Sequence, residues 1–77
     1  MKATIWSKEN CPFCTQAKQL MASHNIEYEE RSINQGWTRE QLLEAVPGAR
    51  TVPQIFLEDR LIGGYTELRE YLRLASK

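Results

Sequence analysis

Cysteine and histidine are scarce in this chain of 77 residues, which has two cysteines, Cys11 and Cys14, and one histidine, His24. A structural zinc site takes about four such ligands, so the composition argues against one and no metal is expected. A stabilising cross-link is a poor reading of the cysteines as well. The loop they would close is four residues long, worth roughly 2 kcal/mol of chain entropy. Charge of one sign is also lacking, because ten Lys and Arg residues cancel ten Asp and Glu. No net field therefore draws the chain to nucleic acid or to an anionic membrane. No stretch approaches the ~20 apolar residues of a membrane span, and the apolar run at the start is too short for a secretory signal. Linkers, repeats and low-complexity segments are absent. These absences lead to the expectation of one domain over residues 1–77, monomeric and cytoplasmic, where a disulfide is usually catalytic. A core of this size yields only about 3–5 kcal/mol.

What is present is an α/β pattern. Lys2 to Ser7 reads as a buried strand. Pro12, suited to a first helical turn, opens a helix to Ser23 with Phe13, Ala17, Leu20 and Met21 spaced for one face, and Ser23-His24-Asn25 ends it. Ile26 to Ile33 alternates in part and reads as a second strand, parallel to the first. Thr38 caps a helix from Arg39 to Val46 with Leu42, Leu43 and Val46 inward. Pro47-Gly48 stops that helix. Gln54 to Leu57 and Leu61-Ile62 form a hairpin, Gly63-Gly64 breaks it, and a last helix runs from Thr66 to Leu74 with Leu68, Tyr71 and Leu72 inward. The predicted order is β-α-β-α-β-β-α, with a four-stranded mixed sheet and three helices.

The chemistry concentrates in Cys11-Pro12-Phe13-Cys14. A C-x-x-C where a strand meets a helix reads as a redox dithiol. Cys11 precedes the first helical turn, where unpaired N–H groups and the helix dipole favour an anion, and Lys8 lies upstream. A free thiol with pKa ~8.5 is about 3% ionised at neutral pH. Lowering it to ~6 raises the thiolate fraction about 30-fold while nucleophilicity falls roughly 13-fold, a net gain of only about twofold. The larger benefit is that a low-pKa sulfur leaves easily. Cys14, one turn on, is placed to resolve a mixed disulfide at Cys11. Pro53 suits a strand start, a plain turn or a cis bond; a cis bond would turn the Val52 N–H and C=O towards Cys11, where they could pair with a peptide-like substrate. The amides after Gly63-Gly64 can hold a carboxylate and Glu67 an ammonium.

Three motifs, in order along the chain, carry a family resemblance: Ser7-Lys8 with Cys11-Pro12-Phe13-Cys14; Gly48-Ala49-Arg50-Thr51-Val52-Pro53-Gln54-Ile55-Phe56; and Ile62-Gly63-Gly64-Tyr65-Thr66-Glu67-Leu68. With these the chain resembles a dithiol glutaredoxin over essentially its whole length. The resemblance implies a thioredoxin-like fold, a cis-proline at Pro53 and glutathione as cosubstrate, with Cys11 as nucleophile and Cys14 as resolving thiol. It implies glutathione contacts at Lys8 (facing the glycine carboxylate), Phe13, Thr51, Val52 (pairing with the backbone), Pro53, Gly64, Tyr65, Thr66 and Glu67 (the γ-glutamyl end). Arg39 is a further candidate, since a basic or amide residue on the second helix often helps in the family. Clients would be disulfide-containing or glutathionylated proteins, with ribonucleotide reductase one suggested by the family. Phe13 departs from the tyrosine usual at its position, and Tyr65-Thr66-Glu67 is a variant of the segment after the diglycine. Two rivals remain: a glutaredoxin-like redoxin reduced by thioredoxin reductase, which Gly63-Gly64-Tyr65-Thr66 argues against, and a [2Fe–2S] carrier, which Pro12 and Cys14 argue against.

Overall fold

A computed structural model describes residues 2–75. Its elements follow the predicted order: β1 (Lys2–Ser7), α1 (Pro12–Ser23), β2 (Glu27–Ser32), α2 (Arg39–Ala45), β3 (Gln54–Leu57), β4 (Arg60–Gly63) and α3 (Tyr65–Ala75). The strands form one mixed sheet in the order β2-β1-β3-β4. β1 runs parallel to β2, pairing Lys2 with Glu27 through Ser7 with Ser32. It runs antiparallel to β3, with Ala3 opposite Leu57 and Trp6 opposite Gln54. β3 and β4 form the antiparallel hairpin, with a register shift between Ile55 and Phe56. This is a thioredoxin-like α/β fold.

Alternation along β1 divides the core in two. Ala3 and Ile5 join Ala17, Met21, Ile26, Ile55, Leu57, Leu68 and Leu72 in a cluster that buries α1 and α3 against one face. Trp6 points the other way, into a smaller cluster with Leu42 and Val46, flanked by Trp37, Val52 and Phe56. Trp6 and Trp37 meet edge to face at 5.4 Å, and the Arg31 guanidinium lies 4.5 Å from the Trp37 ring centroid.

Local chemistry sets the helix ends. Pro12 occupies the first turn of α1, and Cys11 is its N-cap. At the other end Asn25 takes a left-handed conformation, φ 58°. Its N–H donates to Ala22 C=O, and the Ile26 N–H to Met21 C=O at 2.9 Å. That paired bonding ends a helix and drops Ile26 into the core beside Met21. α2 starts with a reciprocal cap: Gln41 N–H donates to Thr38 Oγ1 at 3.1 Å, and Thr38 N–H to Gln41 Oε1 at 2.8 Å. Trp37, just before that cap, packs on the cluster holding Leu42, as a hydrophobic staple would.

Several expectations need correction. The second strand is Glu27–Ser32, not Ile26 to Ile33, and most of it is exposed. Its order comes from pairing with buried β1, and its charges suit an edge strand. The fourth strand is longer than Leu61-Ile62. Leu43 is exposed rather than inward, because α2 buries the i, i+4 pair Leu42 and Val46 and Leu43 lies about 100° around the helix. Phe13 shares the helical spacing of Ala17 and Met21 yet is 57% exposed, since it sits in the first turn, past the rim of the sheet.

Candidate redox site

Sheet topology brings three segments to one end. The antiparallel register sets the C-terminal end of β1 opposite the start of β3, and that of the hairpin sets Gly63 opposite Ile55. The loop into α1, the loop into β3 and the diglycine before α3 therefore emerge together.

In the first segment Asn10 has φ 56°, a left-handed turn that asparagine tolerates, and it delivers Cys11 to the helix N-terminus. Cys11 and Cys14 are joined in a disulfide, with Cα atoms 5.2 Å apart. Their environments differ. Cys14 is buried, at 1% exposure, while Cys11 is partly accessible. The Cys14 N–H points at Cys11 Sγ from 3.2 Å, an arrangement that favours negative charge on that sulfur. In the second segment the Val52–Pro53 bond is cis, and Val52 O lies 3.9 Å from Cys11 Sγ.

In the third segment Gly63 has φ 121°, and a Cβ there would stand 3.1 Å from Glu67 Cγ. The missing side chains let Glu67 fold back, so that its Oε1 accepts the Gly64 N–H at 2.9 Å. Gly64 C=O in turn accepts the Leu68 N–H at 3.0 Å. One oxygen of Glu67, expected to face an ammonium, is thus already engaged. Phe13 reaches across to Tyr65, with ring centroids 6.0 Å apart.

Two shallow depressions meet beside Cys11. One, of about 290 Å³, is lined by Phe13, Thr51, Val52, Pro53, Gly64, Tyr65, Thr66 and Glu67. The other, of about 320 Å³, is lined by Lys8, Arg39, Arg50, Asn34, Thr51 and Val52 among others. The glutathione-contact candidates are thereby brought together: Lys8 and Arg39 line the second depression, Phe13, Pro53, Gly64, Tyr65, Thr66 and Glu67 the first, and Thr51 and Val52 both, beside Cys11. Arg50 and Asn34 were missed. Arg50 lies inside the quoted second motif, immediately before Thr51, and that position was the signal available. His24 stands at the C-terminal end of α1 and lines neither depression.

A dithiol at a helix N-terminus, beside a cis-proline loop on this mixed sheet, defines a thioredoxin-fold redox protein. The glutaredoxin family model matches residues 3–62. Glutaredoxin 3 of Escherichia coli (strain K12) is 36% identical over 64 residues, which cover 83% of this chain and 77% of that protein. Hybrid peroxiredoxin hyPrx5 of Haemophilus influenzae is 38% identical over 68 residues, and the chain spans only 28% of its length. Among solved structures, glutaredoxin 1 from Francisella tularensis, complexed with cacodylate, superposes with a TM-score of 0.78 at 33% identity, covering 99% of this chain and 98% of that one. A buckwheat glutaredoxin–glutathione complex gives 0.80 at 27% identity, covering 95% and 69%. The chain belongs to the glutaredoxin family, and its class of activity is thiol–disulfide oxidoreduction.

Proposed function

We propose that this glutaredoxin is glutathione-dependent and reduces both protein disulfides and glutathione mixed disulfides. The observation that carries the reading is the meeting of the two depressions at Thr51-Val52, with Val52 O 3.9 Å from Cys11 Sγ. A glutathionyl group fits there with its sulfur at Cys11, its backbone on Val52, its glycine carboxylate towards Lys8 and Arg39, and its γ-glutamyl end by Thr66 and Glu67. Phe13, Pro53, Gly64 and Tyr65 wall the γ-glutamyl side. The glutathione complex of the buckwheat relative supports the choice of thiol.

The Cys11 thiolate attacks the glutathionyl sulfur of a mixed disulfide and expels the client thiol. A second glutathione thiolate attacks the Cys11-bound glutathione, which restores Cys11 and releases glutathione disulfide. With a client disulfide, Cys11 forms the mixed disulfide and Cys14 attacks Cys11 Sγ, so that the client leaves with two thiols. The Cys11–Cys14 disulfide that remains, the state seen here, is reduced by two glutathiones. The buried Cys14 suits the resolving role and the accessible Cys11 the attacking one. Ribonucleotide reductase is one client to test, and we place the protein as a single-domain monomer in the cytoplasm.

The test is turnover of a glutathione mixed disulfide coupled to glutathione reductase and NADPH, and no turnover would remove the proposal. Cys11→Ser abolishes both activities, whereas Cys14→Ser keeps much of the deglutathionylation. Equal loss of both in Cys14→Ser would overturn the division of roles.

A further inference from the structure

The groove beside Cys11 is electrically polar, although the chain has no net charge. Lys8, Arg39 and Arg50 line one depression, and among the described residues no carboxylate lines it with them. The ion pairs among the described residues involve Lys18, Arg31 and Arg73 instead. In the other depression Glu67 is the only charged lining residue among those described. One end thus presents three unpaired cations and the other a carboxylate beside two aromatic rings.

The strand-like edge between these ends has a direction. Ala49 and Arg50 line the cationic depression, Pro53 lines the other, and Thr51 and Val52 line both. Pro53 has no N–H to offer, so Val52 supplies the exposed donor and acceptor. In an antiparallel pair one residue exchanges both bonds with the residue opposite, whereas in a parallel pair the two bonds go to different residues. The substrate cysteine whose sulfur meets Cys11 lies opposite Val52, so antiparallel pairing gives that single residue both bonds. Its N-terminal neighbours then lie towards Glu67 and its C-terminal neighbours towards Lys8, Arg39 and Arg50.

We propose that this groove selects client segments bearing acidic residues on the C-terminal side of the reactive cysteine, with Arg39 and Arg50 as specificity-determining residues. The inference rests on the proposed pairing at Val52 and attack by Cys11, and it extends from glutathione to peptide clients.

Two isomeric peptides test it: Ala-Ala-Cys-Glu-Glu and Glu-Glu-Cys-Ala-Ala, each acetylated, amidated and supplied as its symmetric disulfide. They carry the same charge and differ only in its side. The protein is reduced beforehand with dithiothreitol, which is then removed. The Cys11 thiolate attacks one peptide sulfur and expels a first peptide thiolate, which takes a proton. Cys14, giving up its proton, then displaces the second peptide. The protein loses two electrons and becomes the Cys11–Cys14 disulfide, and the peptide disulfide becomes two thiols. Rates of peptide-thiol release are divided by each peptide's rate with free dithiothreitol, which removes the effect of the glutamates on the leaving thiol.

At low salt the peptide with C-terminal glutamates reacts about fivefold faster, the size expected of two or three exposed charge pairs. The preference drops below about twofold near 1 M salt, where the screening length is about 3 Å, and it drops similarly in the Arg39→Gln, Arg50→Gln double variant. Equal rates for the two isomers, or a faster Glu-Glu-Cys peptide, overturn the inference. This assay contains no glutathione. A peptide preference without glutathione turnover would therefore sink only the proposed function, and turnover without a preference would sink only this inference.

Discussion

Glu30 should make the stability of this protein depend on acid in a way that a single substitution removes. Ser7 is wholly buried at the end of β1, and its Oγ donates to Glu30 Oε2 at 2.7 Å. The same oxygen accepts from Lys18 Nζ of α1 at 2.9 Å. The hydrogen bond from Lys18 and then that from Ser7 hold the Glu30 carboxyl below the usual carboxylate range. The Ser7 hydroxyl has no water to fall back on, and a hydrogen bond from it to a charged acceptor contributes about 1.5–3 kcal/mol. The Lys18 pair is partly solvated, with side chains 27% and 36% exposed, so it adds only about 0–1 kcal/mol. In Glu30→Gln the amide oxygen still accepts from Ser7, as a neutral bond worth about 0.5–1.5 kcal/mol. The difference is about 1–2 kcal/mol near neutral pH, a large share of the ~3–5 kcal/mol available to so small a core.

The sign follows from the depressed carboxyl. The unfolded chain, with an ordinary glutamate near pKa ~4.3, binds the proton more readily than the folded one. The contribution of Glu30 is therefore complete above that value and disappears as the pH falls through the lower folded value. Urea unfolding, followed by fluorescence of Trp6 and Trp37, gives the gap between Glu30→Gln and the parent at each pH. The gap should be about 1–2 M in midpoint near neutrality, for a slope of about 1 kcal/mol/M. It should close as the pH falls below the lowered folded value, where both side chains are neutral. A gap that stays constant with pH, or a variant as stable as the parent near neutrality, would refute the reasoning.

Two further outcomes follow from packing. Leu68→Ala, at a fully buried site, should lose about 2–5 kcal/mol and leave the protein largely unfolded at 37 °C by circular dichroism, while Leu74→Ala, at a site 57% exposed, should stay within about 0.5 kcal/mol. Arg31→Gln should lower the urea midpoint by the equivalent of about 1 kcal/mol, because Arg31 lies over both tryptophan rings and such contacts are worth about 0.5–2 kcal/mol; an unchanged midpoint would show that the stack is incidental.

The elements whose own residues carry a period were legible in the sequence. β1 has a buried run, and α1 and α3 have apolar stripes that end in the core. β2 was legible only in part, because its residues are almost all polar and the strand is dictated by β1 alongside. Ile26, counted towards that strand, is anchored by the turn that ends α1. Phe13 and Leu43 show the complementary limit: periodicity says which residues share a face, but not whether anything covers it. The site was more legible than its surroundings, since the dithiol, Thr51-Val52-Pro53 and Gly63-Gly64 are local motifs. The fold-back of Glu67 onto Gly64 depends on the conformation at Gly63, and no residue pattern encodes it openly.

Charge was the property least visible in composition. The count of ten against ten speaks only to the far field, whereas a substrate in a groove feels charges within about one screening length, ~8 Å at physiological salt. Within that range pairing matters more than the total. Lys18, Arg31 and Arg73 are partnered with carboxylates, which offset their charge locally. Lys8, Arg39 and Arg50 come from the loop after β1, from the start of α2 and from the loop before β3, three stretches no sequence window joins. The same antiparallel pairing of β1 with β3 that brings Val52 to Cys11 also brings Arg50 towards Lys8. One piece of sheet topology therefore serves both the chemistry at the sulfur and the charge beside it.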